Sequence, residues 1–197
     1  MNFIFRNLRK INLVFLLITA VFCLFSCATN MQKDKRPFIW LADRSKFILL
    51  PAKDIEKPLD GYQRISASFA GQDYRMNTWV KADENGMDIV LLNEMGANMG
   101  ELIFKDDGIT FSSSVFPSSL SPEYIIADFQ FCFFNASALN SALKRDGFSF
   151  FSGVVNEKEI RRIYKGDTLI IEITFNSNYI VLVNHLRGYT YTLEGDF

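Results

Sequence analysis

The chain has 197 residues, 49% hydrophobic and 15% aromatic, with 21 Lys+Arg against 22 Asp+Glu and a single histidine. Near-neutral charge excludes the basic footprint that nucleic-acid binding demands. One histidine, His185, leaves no usual way to build a catalytic triad or a histidine-rich metal site.

The first segment is basic, then apolar. Arg6, Arg9 and Lys10 precede a greasy run that ends at Leu24-Phe25-Ser26-Cys27. This is the pattern of an export signal, and its end resembles a bacterial lipobox, in which Cys27 is lipidated and becomes the first mature residue. The run from Ile11 to Phe25 is shorter than the ~20 apolar residues a spanning helix needs. An uncleaved anchor with Cys27 an ordinary thiol is the alternative. The expected division is therefore a signal peptide over 1–26, a flexible tether over 27–37 and one domain over 38–197. Several acyl chains on Cys27, palmitate among them, would make the tether permanent, because each buried CH₂ contributes ~0.8 kcal/mol. Ala28 in place of Asp favours, by resemblance to enteric lipoproteins, the periplasmic face of the outer membrane.

Without residues 1–26, which carry three positive charges and no negative ones, 18 Lys+Arg stand against 22 Asp+Glu, net −4. Cys132 is then the one cysteine besides Cys27, so no intramolecular disulfide is expected and the domain must fold on its core alone. Set among Phe129, Phe131, Phe133 and Phe134, Cys132 reads as a small buried hydrophobe.

Phe38–Leu41 and Phe47–Leu50 suggest a short helix and a strand. Pro51 and Pro58 bound an irregular stretch. Strands then dominate: 62–69, 74–82, 87–93, 99–105 and 109–113, separated by Gly71-Gln72-Asp73, Asp83-Glu84-Asn85-Gly86 and Asp106-Asp107-Gly108. In the second of these, Tyr74, Met76, Thr78 and Val80 share one face. Gly96-Ala97-Asn98-Met99-Gly100 lacks the Lys and Ser/Thr of a phosphate loop and reads as a bend.

The period then changes. Ser121-Pro122-Glu123 starts a helix with a capping hydroxyl, a proline in the first turn and an acid at the positive dipole end. Residues 124–134 are apolar nearly all round, which predicts burial on most sides. Asn135 or Ser137 caps a second helix that stops at Gly147. Strands resume at 159–164, 168–175, 179–184 and 188–194. The fold class expected is α+β: a curved antiparallel sheet, an incomplete barrel, wrapped around a buried helical pair.

Candidate sites of chemistry are few. No Gly-x-Ser-x-Gly, His-Glu-x-x-His or Cys-x-x-Cys occurs. The chain is accordingly expected not to be an enzyme and to use no metal or cofactor. Asp128, inside the greasy helix, is expected to pair with Arg161 or Arg162. A hydrolytic carboxylate pair would need a second acid nearby, and Glu123 is on another face. The positive signal is aromatic: a concave sheet lined with Phe, Met and Trp can hold an acyl chain. The candidate lining residues are Phe69, Met76, Trp79, Met87, Phe104, Phe111, Phe129 and Phe133.

Gly100-Glu101-Leu102-Ile103-Phe104, Phe116-Pro117 and Pro122-Glu123-Tyr124-Ile125-Ile126-Ala127-Asp128-Phe129-Gln130 resemble a family of uncharacterised bacterial lipoproteins with a Pro-Glu-x-Leu-Leu-x-Asp-x-Gln-like helix and a Gly-Tyr ending, here Gly188-Tyr189. The family's Trp-Pro after the helix is Phe134-Asn135 here. That family in turn resembles the LolA/LolB group of lipoprotein carriers and receptors, whose fold is an incomplete barrel closed by helices around a hydrophobic cavity. Some of its members accompany gene clusters for aryl-polyene lipids. The resemblance implies a membrane-anchored protein that binds a lipid or a lipoprotein's acyl chain. The alternative is a structural or interaction subunit of an envelope or lipid-biosynthesis complex, with a filled interior.

Overall fold

The computed structural model describes residues 36–69, 71–114 and 121–195. The signal segment, Cys27 and most of the tether lie outside the described residues, as does Phe116-Pro117. Two meanders of five strands share one antiparallel sheet. The first comprises β3 (Leu59–Phe69), β4 (Gln72–Asp83), β5 (Gly86–Leu92), β6 (Asn98–Lys105) and β7 (Gly108–Ser113). The second comprises β8 (Ser149–Val155), β9 (Lys158–Lys165), β10 (Thr168–Phe175), β11 (Tyr179–Asn184) and β12 (Tyr189–Gly195). Pairing of β3 with β12 joins them, giving the order β7-β6-β5-β4-β3-β12-β11-β10-β9-β8. The sheet does not close, because β7 and β8 are its two edges. A separate hairpin, β1 (Phe38–Ala42) with β2 (Ser45–Ile48), precedes it.

Two helices connect the edges: α1 (Pro122–Phe133) and α2 (Ala136–Arg145). Every residue of α1 from Ile126 to Phe133 is buried, as an apolar surface on all sides requires. The helix touches β1, β7 and β11. Strands of both meanders thus meet one helix, and the expected α+β class, an open antiparallel sheet with two helices, is what the chain forms.

Local chemistry sets most boundaries. Asn135 caps α2, its side-chain oxygen accepting from the Ser137 and Ala138 N–H groups at 2.9 and 3.4 Å. Ser121 makes no such bond at α1; there Pro122 removes one N–H that a cap would otherwise serve. Gly147, at φ +80°, ends α2 in the left-handed conformation that glycine adopts without steric cost. The β3–β4 turn is tighter than expected, since Phe69 pairs directly with Gln72. Gly100 sits where a Cβ would come within 2.6 Å of the Ser112 carbonyl oxygen, so it fits β6 against β7 rather than binding a phosphate.

Two expectations need correction. Phe38–Leu41 is a strand, not a helix: Ile39 and Leu41 are buried while Phe38 and Trp40 are exposed, a period of two that hairpin pairing with 46–48 enforces. Strand β8 was not foreseen. Its Phe150-Phe151-Ser152-Gly153 does not alternate, and its turn to β9 uses Asn156 and Glu157 at positive φ without the glycine that usually marks such a turn.

Candidate functional site

Helix α1 is held by three polar side chains, each reaching a different part of the fold. Gln130, fully buried, accepts from the Leu50 N–H at 2.9 Å and donates to the Leu50 carbonyl at 2.8 Å. One side chain thus satisfies both polar groups of a buried residue, as burial demands. Further along, the chain at 54–56 pairs with the helix end, through Glu56 N–H to the Phe133 carbonyl and Asn135 N–H to the Asp54 carbonyl, at 3.0 and 2.9 Å.

Asp128 is buried too, at 4% exposure, but it does not meet Arg161 or Arg162. Tyr189 Oη donates to its Oδ2 at 2.6 Å, and Tyr191 adds a second hydroxyl. The two tyrosine rings stack nearly parallel, 5.9 Å apart. Asn184 Nδ2 donates to Tyr189 Oη at 3.1 Å, and its Oδ1 accepts from the Arg187 N–H at 2.8 Å. Arg187 lies with its guanidinium 4.2 Å from the Tyr124 ring centre and donates to the Trp40 carbonyl at 2.6 Å. Burial pushes the Asp128 carboxyl from 3.8 up to about 7, against the two tyrosine hydroxyls and the Arg187 charge, which pull it down. Burial and the neighbouring carboxylate raise both tyrosines. Spacing cannot reveal this partnership, because Tyr189 is 61 residues away in the chain. Gly188, at φ +66°, makes the turn that delivers Tyr189 to Asp128. Arg162 is spent on Glu172 across the β9–β10 pair.

Arg161 closes the C-terminal end of α1. Its Nη1 donates to the carbonyl oxygens of Phe131, Cys132 and Phe134 at 3.0, 3.1 and 2.8 Å. These are groups a helix end leaves without intrahelical partners, and the positive charge sits at the negative dipole end. Nη2 donates to Glu56 Oε2 at 3.0 Å. The Nε–H is buried with no partner among the described residues. The guanidinium lies 5.1 Å from the Phe175 ring centre.

Beside Arg161 opens a cavity of about 250 Å³. It lies between the end of α1 and the ends of β3, β9, β10 and β11. Leu59, Cys132, Phe133, Phe175 and Ile180 supply its apolar surface, and Glu56, Lys57, Glu159 and Arg161 line it with charge. Burial drives the Cys132 thiol far above its usual range, which leaves it a protonated, unreactive part of the wall.

Of the eight candidate lining residues, Phe133 alone borders this cavity. Met87, Phe104 and Phe129 are packed in the core, and Met76 and Phe111 lean against it half-buried. The Phe69 side chain lies outside the described residues. Trp79 points to the opposite face, because alternation along β4 buries Thr78 and Val80 and sends Trp79 outward against Tyr62, ring centres 4.6 Å apart. Sequence reasoning missed Arg161, Phe175 and Ile180 as cavity residues. Their signal was a buried arginine opposite an apolar strand end. His185 lies in the β11–β12 turn, exposed. No cluster of three or more His, Cys, Asp or Glu able to hold a metal occurs among the described residues.

A family model described as a protein of unknown function (DUF3261) matches residues 60–195. The chain belongs to the DUF3261 family. The matched span covers nearly the whole ten-stranded sheet and both helices, and it contains Asp128, Gln130, Arg161 and Tyr189. The β1–β2 hairpin and Leu50, the partner of Gln130, precede the matched DUF3261 span. No curated protein matches the chain.

Proposed function

We propose that this chain is an envelope lipoprotein that binds or receives one hydrophobic chain, an acyl or polyene lipid or the acyl chain of another lipoprotein, without transforming it. In this reading Cys27 anchors it at the periplasmic face of the outer membrane, residues 27–37 are the tether, and the open sheet over α1 is a half-barrel of the LolA/LolB kind. The observation that supports the reading is the cavity beside Arg161, which Leu59, Phe133, Phe175 and Ile180 line together with Glu56, Lys57, Glu159 and Arg161. Such a surface suits an amphiphile, since apolar walls supply affinity and a few polar groups supply orientation. At about 250 Å³ it falls below the ~300–1,000 Å³ of sites that enclose a drug-sized ligand, so it suits part of one chain.

Ser177 lies exposed in the β10–β11 turn and borders the cavity. The substitution Ser177→Trp obstructs the cavity without disturbing the core. We expect the unaltered protein to bind a fluorescent fatty acid that palmitate displaces, and the Ser177→Trp variant to bind it at least about tenfold more weakly, a loss of 1.4 kcal/mol. Absence of binding by the unaltered protein, or equal binding by the variant, contradicts the proposal. A second reading, a structural or interaction subunit, draws on the tight packing of Leu102, Phe104 and Phe131 under the sheet. It predicts no lipid binding and stable capture of a protein partner.

A further inference from the structure

The guanidinium of Arg161 has five N–H donors. Those of Nη1 are consumed by three carbonyl oxygens of the α1 end, and one on Nη2 goes to Glu56. The Nε–H has no partner among the described residues. Nε and Nη2 form one of the two planar edges on which arginine receives a carboxylate or phosphate through two parallel hydrogen bonds. That edge holds a single bond to a single oxygen, from a side chain that is half exposed on a residue bordering the same cavity. Arg161 is thus fixed in place by the helix end, bordering the cavity with its guanidinium 5.1 Å from the Phe175 ring centre.

We propose that the Nε–Nη2 edge of Arg161 seats the anionic head, carboxylate or phosphate, of a single-chain amphiphile. Its tail lies along Phe133, Phe175, Ile180 and Leu59, and Glu56 is the resident carboxylate that the head displaces. This rests on the acyl-binding reading above and adds the head-group chemistry. Glu159 and Lys57 at the same cavity carry opposite charges. With Glu56 turned out to water, Arg161 is the buried charge left to be matched. A buried cation with an unfilled donor favours an anionic head strongly, because desolvation magnifies charge-assisted hydrogen bonds.

Calorimetric titration of the protein with dodecanoate, dodecyl phosphate, dodecanol and inorganic phosphate tests this, in the unaltered form and in the Glu56→Ala variant. Glu56 is exposed and its backbone pairing survives the change, so the variant folds; a single cooperative unfolding transition, at a lower midpoint because Arg161 loses its carboxylate, checks that. We expect dodecanoate, dodecyl phosphate or both to bind about tenfold or more tighter than dodecanol, the effect of one charge-assisted hydrogen bond. The Glu56→Ala variant should bind the anionic amphiphile several-fold tighter still and dodecanol unchanged. Dodecanoate, dodecyl phosphate and dodecanol of equal affinity would overturn the head-group seat and leave the acyl reading standing. Inorganic phosphate binding as tightly as dodecyl phosphate would show a free-anion site and overturn the lipid assignment. Failure of all four probes would overturn the acyl reading itself.

Discussion

Replacing Arg161 by methionine is expected to destabilise the domain by about 3–5 kcal/mol, the cost of breaking a buried charged arrangement from one side. Methionine fills the volume and supplies no donor. Glu56, half exposed, returns to water at little cost. The carbonyls of Phe131, Cys132 and Phe134 remain buried without Nη1, and a buried unsatisfied group costs ~1–3 kcal/mol. A fully apolar replacement often rescues a buried ion pair, but here the acceptors are backbone and cannot be replaced. Lysine should recover part of the loss, since its ammonium carries the charge and three donors. Urea denaturation gives the comparison directly, and at about 2–4 °C per kcal/mol for a domain of this size the methionine variant should also melt roughly 10 °C lower. A loss within the ordinary range of a surface substitution would mean the helix end is satisfied in another way.

Stability is expected to fall as pH rises from about 4 to 7, and the Asp128→Asn variant should lose that slope. The sign follows from proton counts. The unfolded carboxyl titrates at its ordinary 3.8, while burial holds the folded one protonated up to about 7. Between those values the folded state binds more protons than the unfolded state, so each pH unit costs up to 1.36 kcal/mol of stability. The penalty is absent below 3.8, grows across the window and is complete above 7, at roughly 4 kcal/mol. Asparagine keeps an oxygen to accept from Tyr189 and carries no charge. Its unfolding midpoint should therefore change little across the window and exceed that of the unaltered protein at pH 8. Equal slopes for the two proteins would show that Asp128 is ionised throughout.

Much of the fold was legible because the strands alternate and the turns carry their signals. Thr168–Phe175 and Tyr179–Asn184 are strands because β-branched and aromatic residues recur there, and Asn176-Ser177-Asn178 breaks the run. Helix α1 was legible from its length and the proline at its start. What escaped was tertiary. Phe38–Leu41 is too short for periodicity to separate strand from helix, and only pairing with 46–48 decides it. Chemical type points Asp128 to a strand cation such as Arg161 or Arg162, whereas topology brings β12 beside α1 and the carboxyl meets two tyrosines. Aromatic richness in β4 to β7 suggested a hollow there. Met87 and Phe104 fill the core there, Trp79 faces outward, and the cavity opens at the far end of the helix, where the β3, β9, β10 and β11 ends meet charged residues from the segment before β3. A void is a property of how ends meet, and residue type along one strand does not encode it.

The proposed function and the head-group seat share one requirement, that the domain holds an amphiphile in the cavity beside Arg161 in the membrane it is anchored to. Native mass spectrometry of the full chain, released gently from membranes, tests that most directly. The account predicts a population heavier than the anchored protein by one single-chain anionic amphiphile, reduced in the Ser177→Trp variant. A single species with the mass of the anchored protein alone, at every activation energy and in both forms, would contradict it.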